Sequence, residues 1–220
     1  MDRKRTRAAL TLGAASATLG TALALIAVAL PAQRLPFNVY SVDDGLPATQ
    51  IWSVVEDRRG FLWVATSWGL ARFDGSSFST LSVPEGLPSP IVRTVLEDPS
   101  GELWIGTSAG LARYDGHRLI SYRGRPELDA EIWAAALDRH GQAWFGTESG
   151  LVVATRPGFR RYGRADGLPG DFIYSLLAAS DGSLWLGTRG DGVARCMPGV
   201  GGELGECRAL GAAEGLGGPI

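Results

Sequence analysis

The chain has 220 residues, enough for one or two domains, and its 45% hydrophobic content excludes wholesale disorder. Lys plus Arg number 21 against 23 Asp plus Glu, which argues against a uniformly basic nucleic-acid binder. Two cysteines and two histidines, His117 and His140, exclude a disulfide-dense mini-fold and leave no set of ligands for a zinc module or another metal cofactor.

Arg3, Lys4, Arg5 and Arg7 precede a run from Ala8 to Gln33 that carries no charge. A basic start, an apolar stretch and small residues at Ala27-Val28-Ala29 have the pattern of a secretory signal. The run exceeds the ~7–15 residues of a signal core and approaches the ~20 that span a bilayer. Residues 1–33 therefore read either as a cleaved signal or as a retained membrane anchor, with a buried core helix as the remaining alternative. The first two readings both export the chain after Gln33 and leave the basic end in the cytoplasm.

Beyond this segment the sequence repeats. Trp63, Trp104, Trp144 and Trp185 are spaced by 41, 40 and 41 residues. A glycine precedes each by three (Gly60, Gly101, Gly141, Gly182) and a threonine follows each by three (Thr66, Thr107, Thr147, Thr188). Gly69-Leu70, Gly110-Leu111 and Gly150-Leu151 keep the same phase, and Gly192-Val193 is shifted by one. A second marker, DGLP at Asp44, returns as EGLP at Glu85, DGLP at Asp166 and EGLG at Glu214. In the third unit it has decayed to Pro126-Glu127-Leu128-Asp129.

The first unit shows what the repeat folds into. IWSVV at 51–55 predicts a strand, Asp57 to Gly60 a turn, LWVAT at 62–66 a second strand and GLARF at 69–73 a third. Asp74-Gly75 signals a hairpin, and FSTLS at 78–82 supplies a fourth strand. Four short strands recurring at this period predict all-β blades of a β-propeller, since the long 3.6-residue periodicity of a helical solenoid is missing. Blades are expected at about 50–82, 91–123, 131–163 and 171–211. FNVY at 37–40 matches the start of the outermost strand in phase, and a fifth unit begins at Glu214. On this reading the chain is the opening fragment of a longer polypeptide, and residues 33–220 form an unclosed arc.

The pattern DGL, a short apolar strand, then D-x-x-G-x-L-W-x-G-T-x-x-G-L-x-R-[FY]-D-G resembles the two-component regulator propeller repeat. The resemblance runs from about Phe37 to Ile220 and weakens in the third unit and at the insertion 196–207. It implies an extracytoplasmic sensor propeller of a bacterial membrane signalling protein, anchored through its N-terminal segment. It also implies a histidine kinase, hybrid kinase or diguanylate cyclase downstream in the same polypeptide. A homodimer of the full-length protein is a further expectation.

The recurrent residues themselves suggest structure rather than chemistry. The four tryptophans, constant inside an apolar strand, read as inter-blade packing rather than a sugar platform. Asp57, Asp98 and Asp138 in D-x-x-G read as side-chain-capped turns, because calcium needs six or more oxygens. His117 and His140 read as solvated turn residues.

Positions where the repeats disagree carry the functional signal. Trp52, Arg93, Trp133 and Tyr174 follow the first apolar residue of each inner strand, where packing alone would favour one residue type. Trp68, Glu148 and Arg189 stand in the loops after each threonine. Both sets fall at one end of a propeller's central channel and are candidate ligand-binding residues for a polar small molecule or an oligosaccharide. A secreted propeller enzyme is the alternative, since GQAWFGTE at 141–148 is similar to the blades of streptogramin-type lyases. Two turn histidines make a poor acid–base set, so no catalytic residue is assigned. Cys196 and Cys207 bracket the enlarged hairpin of the fourth unit in a chain expected to meet an oxidising compartment, and are expected to form a disulfide.

Overall fold

The computed structural model describes residues 37–156, 158–211 and 215. The expected apolar helix within 1–33 lies outside these residues. Chain contacts separate Met1–Asn38 from Val39–Ile220. Among the described residues no helix is long and apolar enough to cross a membrane.

Four antiparallel four-stranded sheets follow one another, each in simple sequential strand order. The first blade contains β1 (Ile51–Glu56), β2 (Leu62–Thr66), β3 (Gly69–Phe73) and β4 (Phe78–Leu81). The second contains β5 (Val92–Glu97), β6 (Leu103–Thr107), β7 (Gly110–Tyr114) and β8 (Leu119–Ser121). The third contains β9 (Ile132–Leu137), β10 (Ala143–Thr147), β11 (Gly150–Ala154) and β12 (Phe159–Tyr162). The fourth contains β13 (Ile173–Ala178), β14 (Leu184–Thr188), β15 (Val193–Pro198) and β16 (Leu204–Leu210). The innermost strands β1, β5, β9 and β13 pack side by side in that order. The fold is the all-β propeller architecture that the repeat predicts.

Each D-x-x-G segment closes the first turn of its blade through one carboxylate. Asp57 Oδ1 accepts the backbone N–H of Arg59 and Phe61, and Oδ2 accepts the Trp63 indole N–H at 2.9 Å. Asp98 holds Trp104 and Asp138 holds Trp144 in the same way, at 3.2 and 2.9 Å. The hydrogen bond lets an indole enter an apolar layer without leaving its N–H unpaired. The three buried tryptophans then fill the joints between blades. Trp63 packs among Val92, Val95 and Ile105 of the second blade. Trp104 lies with Ile132 and Phe145 of the third, and Trp144 with Ile173 and Leu186 of the fourth.

The threonines staple the next turn. Thr66 Oγ1 donates to the Gly69 carbonyl and accepts the Trp68 N–H, and Thr107, Thr147 and Thr188 repeat the donor bond to Gly110, Gly150 and Gly192. The DGLP marker forms a capped 3-10 turn between blades. In the second unit the Glu85 carboxylate accepts the Ser82 N–H, and Gly86 follows at φ +116°. The leucine after it, Leu87, is buried in the joint, as is Leu168. In the third unit the turn Pro126–Leu128 ends on Asp129 rather than on a glycine, the left-handed cap is lost, and φ there is −78°. Leu128 is nevertheless buried, so the marker keeps its packing function after its cap has gone.

The fourth unit departs in two ways. Ala179 stands where the others have aspartate, and the Trp185 indole donates instead to Ser183 Oγ at 3.0 Å. The enlarged hairpin between β15 and β16 folds back onto the third blade. There Tyr162 Oη donates to the Gly202 carbonyl at 2.6 Å and accepts the Leu204 N–H, while Gly202 N–H donates to Gln142 Oε1. A disulfide joins Cys196 to Cys207 across this hairpin, with Cα atoms 4.1 Å apart.

FNVY, read as an outer strand with no blade of its own in this chain, has no regular structure at residues 37–40. A strand needs a ladder partner, and none lies beside this segment among the described residues. The Tyr40 ring instead packs on Phe73 and Phe78, at 4.9 and 5.7 Å.

Asp138→Ala, which strands a buried indole donor, is expected to destabilise the fold by about 1–3 kcal/mol in urea denaturation. The turn carboxylates also predict acid sensitivity. Burial raises the Asp57 pKa, but bonds from Trp63, Phe61 and Arg59 outweigh it and hold the group below its ordinary 3.8. Bonds from Ser183 and Arg195 lower Asp181 to about 2. A folded value below the unfolded one stabilises fully above the ordinary pKa and is lost as pH falls through the folded value. Stability should therefore be flat near neutrality and decline from about pH 4 downward, read as the melting temperature across an acid series. The denatured, unreduced protein should show no free thiol, and reduction should cost about 2–3 kcal/mol.

Candidate functional site

Each inner strand begins with an irregularity in its pairing. Ile51 pairs with Thr66 and Ser53 with Ala65, so Trp52 is passed over. The same skip leaves out Arg93 in β5, Trp133 in β9 and Tyr174 in β13. A bulge frees one residue from the ladder and re-aims its side chain. The four residues at which the repeats disagree are thus the four bulged residues, free of the packing rule that fixes their neighbours.

Their side chains meet. The Arg93 guanidinium carbon lies 3.9 Å from the Trp52 ring centre and 4.3 Å from that of Trp133, so the cation is clamped between two indoles. Trp133 in turn stacks on Tyr174 at 4.9 Å with 28° between planes. One flat group from each blade therefore builds a continuous stack, Trp52–Arg93–Trp133–Tyr174. Each guanidinium–indole contact is favourable by about 0.5–2 kcal/mol, more as water is excluded.

Two members of this site were not among the sequence candidates. Glu131 pairs with Arg93 through both Nε and Nη2, each at 2.7 Å. Phe172 packs on Trp133 at 5.7 Å. Both lie one residue before the first apolar residue of an inner strand, where the first two units have Gln50 and Ile91. The disagreement between repeats that singled out Trp52 and its counterparts was present at this column too.

The loop candidates divide. Arg189 belongs to the site: its backbone N–H donates to the Phe172 carbonyl and its guanidinium lies 5.4 Å from the Phe172 ring centre. It borders a cavity of about 300 Å³ with Tyr174, Ser175, Gly187 and Thr188. Glu148 joins the site only through its backbone, which donates to the Glu131 carbonyl. Trp68 is exposed, and its indole makes no contact with the stack.

The electrostatics follow from the pairing. Glu131 neutralises Arg93, so the stack offers aromatic faces rather than net charge. The ends are open, with Tyr174 51% and Trp52 38% exposed. Two donors inside the stack, Arg93 Nη1 and Trp133 Nε1, are buried without an acceptor, an expense that proteins seldom carry in ordinary packing. The histidines take no part: His117 and His140 are exposed turn residues. Among the described residues no three His, Cys, Asp or Glu side chains are placed to hold a metal ion.

Three segments, 45–68, 86–109 and 167–190, match the family described as two component regulator propeller. The third unit, with its decayed marker, is not matched. The structure resembles the extracellular domain of the proposed hybrid two component system BT3049 from B. thetaiotaomicron, with TM-score 0.67 and 24% identity over 81% of this chain. It also resembles that of the proposed one component system BT4673 from the same organism, with TM-score 0.63 and 23% identity over 74% of this chain. The chain spans 25% and 23% of those two proteins' chains. Virginiamycin B lyase from Staphylococcus aureus shares the fold with TM-score 0.57, at 16% identity over 74% of this chain and 56% of its own. No curated protein matches the sequence.

Glu131→Gln leaves the clamped guanidinium without its counter-charge. Side-chain exposures of 13% for Arg93 and 18% for Glu131 mark a largely buried pair, so the substitution is expected to cost roughly 2–3 kcal/mol in urea denaturation. Arg93→Met, which leaves the largely buried Glu131 carboxylate unpaired, should carry a similar cost and also change the tryptophan fluorescence.

Proposed function

Since the chain carries repeats of the two component regulator propeller family, we propose that it is a ligand-binding sensor propeller, exported from the cytoplasm as the N-terminal part of a bacterial membrane signalling protein. The observation that carries this reading is the bulge-borne stack of Trp52, Arg93, Trp133 and Tyr174. Side chains needed only to hold blades together would repeat, as the tryptophans of the joints do, yet these four are Trp, Arg, Trp and Tyr in successive blades and still assemble. A kinase or cyclase output downstream, and a homodimer of the full-length protein, belong to the same proposal.

The chemistry offered is that of a polar molecule with a flat or pyranose ring. Its face would cover Tyr174, and its hydrogen-bonding groups would reach Arg189 and Thr188 across the adjoining cavity. A neutral or weakly charged oligosaccharide suits the site, because Glu131 already compensates the central cation. The lyase reading has the shared fold in its favour. Against it, the two histidines are exposed and lie outside the stack.

Two measurements test the proposal. Alkaline phosphatase fused after Arg34 should be active, whereas an inactive phosphatase with an active cytoplasmic reporter at the same site would overturn export. A thermal-shift screen of neutral oligosaccharides against the full chain should find one that raises the melting temperature. Tyr174→Ala and Arg189→Ala should each weaken that ligand about ten-fold or more. Binding that survives both substitutions would remove the stack as the site.

A further inference from the structure

The end of the blades opposite the stack holds a second cleft, of about 1310 Å³. The third unit departs from the repeat at its wall. At the last position of the third strand the first two units have Phe73 and Tyr114, and the third has Ala154. In the joint between the first and second blades, Tyr114 covers Trp63 at 5.7 Å. In the next joint Ala154 brings no ring to Trp104, and Tyr122 and Phe159, where the first joint has Leu81 and Leu119, close on the indole instead. These two half-buried rings, 4.9 Å apart, form the cleft wall in front of the buried tryptophan. The same unit also lost its Asp-Gly hairpin, and Arg156 stands in the loop that replaces it.

Charge at this cleft is unbalanced. Its acids are already engaged: Glu97 by Arg58, Glu102 by Arg113, Asp98 by the Trp104 turn and Asp115 by Arg118. Arg125 and Arg156 line the cleft, are exposed, and have no acidic partner among the described residues. Arg113 Nε, also at the cleft, is buried without an acceptor. The lining runs from Arg59 of the first blade to Gly201 in the enlarged hairpin of the fourth. A lining that crosses from the first blade to the hairpin of the fourth suits an extended molecule rather than a compact one.

We propose that this cleft binds an acidic oligosaccharide, with one sugar ring against the wall of Tyr122 and Phe159 and carboxylates held by Arg125 and Arg156. Aromatic rings offer a face to the apolar side of a pyranose. Guanidinium groups are suited to carboxylates, which they bind through paired, charge-assisted hydrogen bonds. The proposal does not depend on the stack at the other end.

Calorimetric titration of the full chain with trigalacturonic acid tests it, with neutral cellotriose as the control. Trigalacturonate is expected to bind, more weakly as salt rises, and cellotriose is expected not to bind. Arg125→Gln and Arg156→Gln should each weaken binding about ten-fold. Ala154→Tyr restores the residue type of the other repeats, adds a ring beside Phe159 at the cleft wall and should abolish binding. Should that variant fail to fold by circular dichroism, the two arginine variants decide the question. Tyr174→Ala, which disables the proposed stack site, should leave trigalacturonate binding unchanged. No binding of trigalacturonate, equal binding of cellotriose, or full binding by both arginine variants would overturn the proposal.

Discussion

The hydrogen bond from a buried tryptophan to a turn aspartate is the interaction on which the rest of the molecule depends. It settles two problems together. The carboxylate closes the tight turn after the innermost strand, and it satisfies the one polar group that would otherwise bar an indole from the joint. With Asp57, Asp98 and Asp138 in place, three large aromatic surfaces are committed to blade-to-blade packing. Each blade is thereby positioned by its neighbour rather than by a common hub. Where the aspartate is missing, at Ala179, the indole of Trp185 finds a weaker substitute in Ser183 and is only partly buried.

Fixing the joints in this way frees other columns of the repeat. A strand inside a packed blade has little room for variation, but a bulged residue lies outside the ladder. The blades exploit that freedom at one register, where Trp52, Arg93, Trp133 and Tyr174 emerge. The same logic explains the cleft at the opposite end. There the variation is an exchange, an alanine in place of an aromatic ring, with Tyr122 and Phe159 closing on Trp104 where the first joint has Leu81 and Leu119. One repeat thus supports two kinds of surface, one made by adding side chains outside the ladder and one by exchanging a ring within it.

The strands and turns were legible because period-2 apolar runs, Gly-containing turns and a strict period point the same way. The stack was legible for a subtler reason: four in-phase residues refused to agree. Glu131 and Phe172 were missed although they disagree just as openly, because only the column after the first apolar residue was weighed. Trp68 was over-read, since a large aromatic in a loop is conspicuous whether or not it reaches the site. The cleft at Ala154 was not legible at all. A small residue announces nothing in sequence, and its consequence appears only when the ring it replaces is seen covering a tryptophan in the neighbouring joint.

The outer faces of the first and fourth blades complete the argument about joints. Val92, Ile132 and Ile173 open their inner strands fully buried, each seated against the preceding blade, whereas Ile51 in the same position is 40% exposed. Gly106 and Gly146 lie against Ile132 and Ile173 so closely that a β-carbon on either would collide. Gly187 occupies the same place in the fourth blade and meets only Ser175 from its own sheet. The cavity beside Tyr174 therefore has the shape of a joint, with a small residue as its seat and a flat side chain at its rim. That geometry ties the stack to the blades in a way its chemistry alone does not. Whatever covers Tyr174, whether ligand ring or flat side chain, must also satisfy the seat at Gly187.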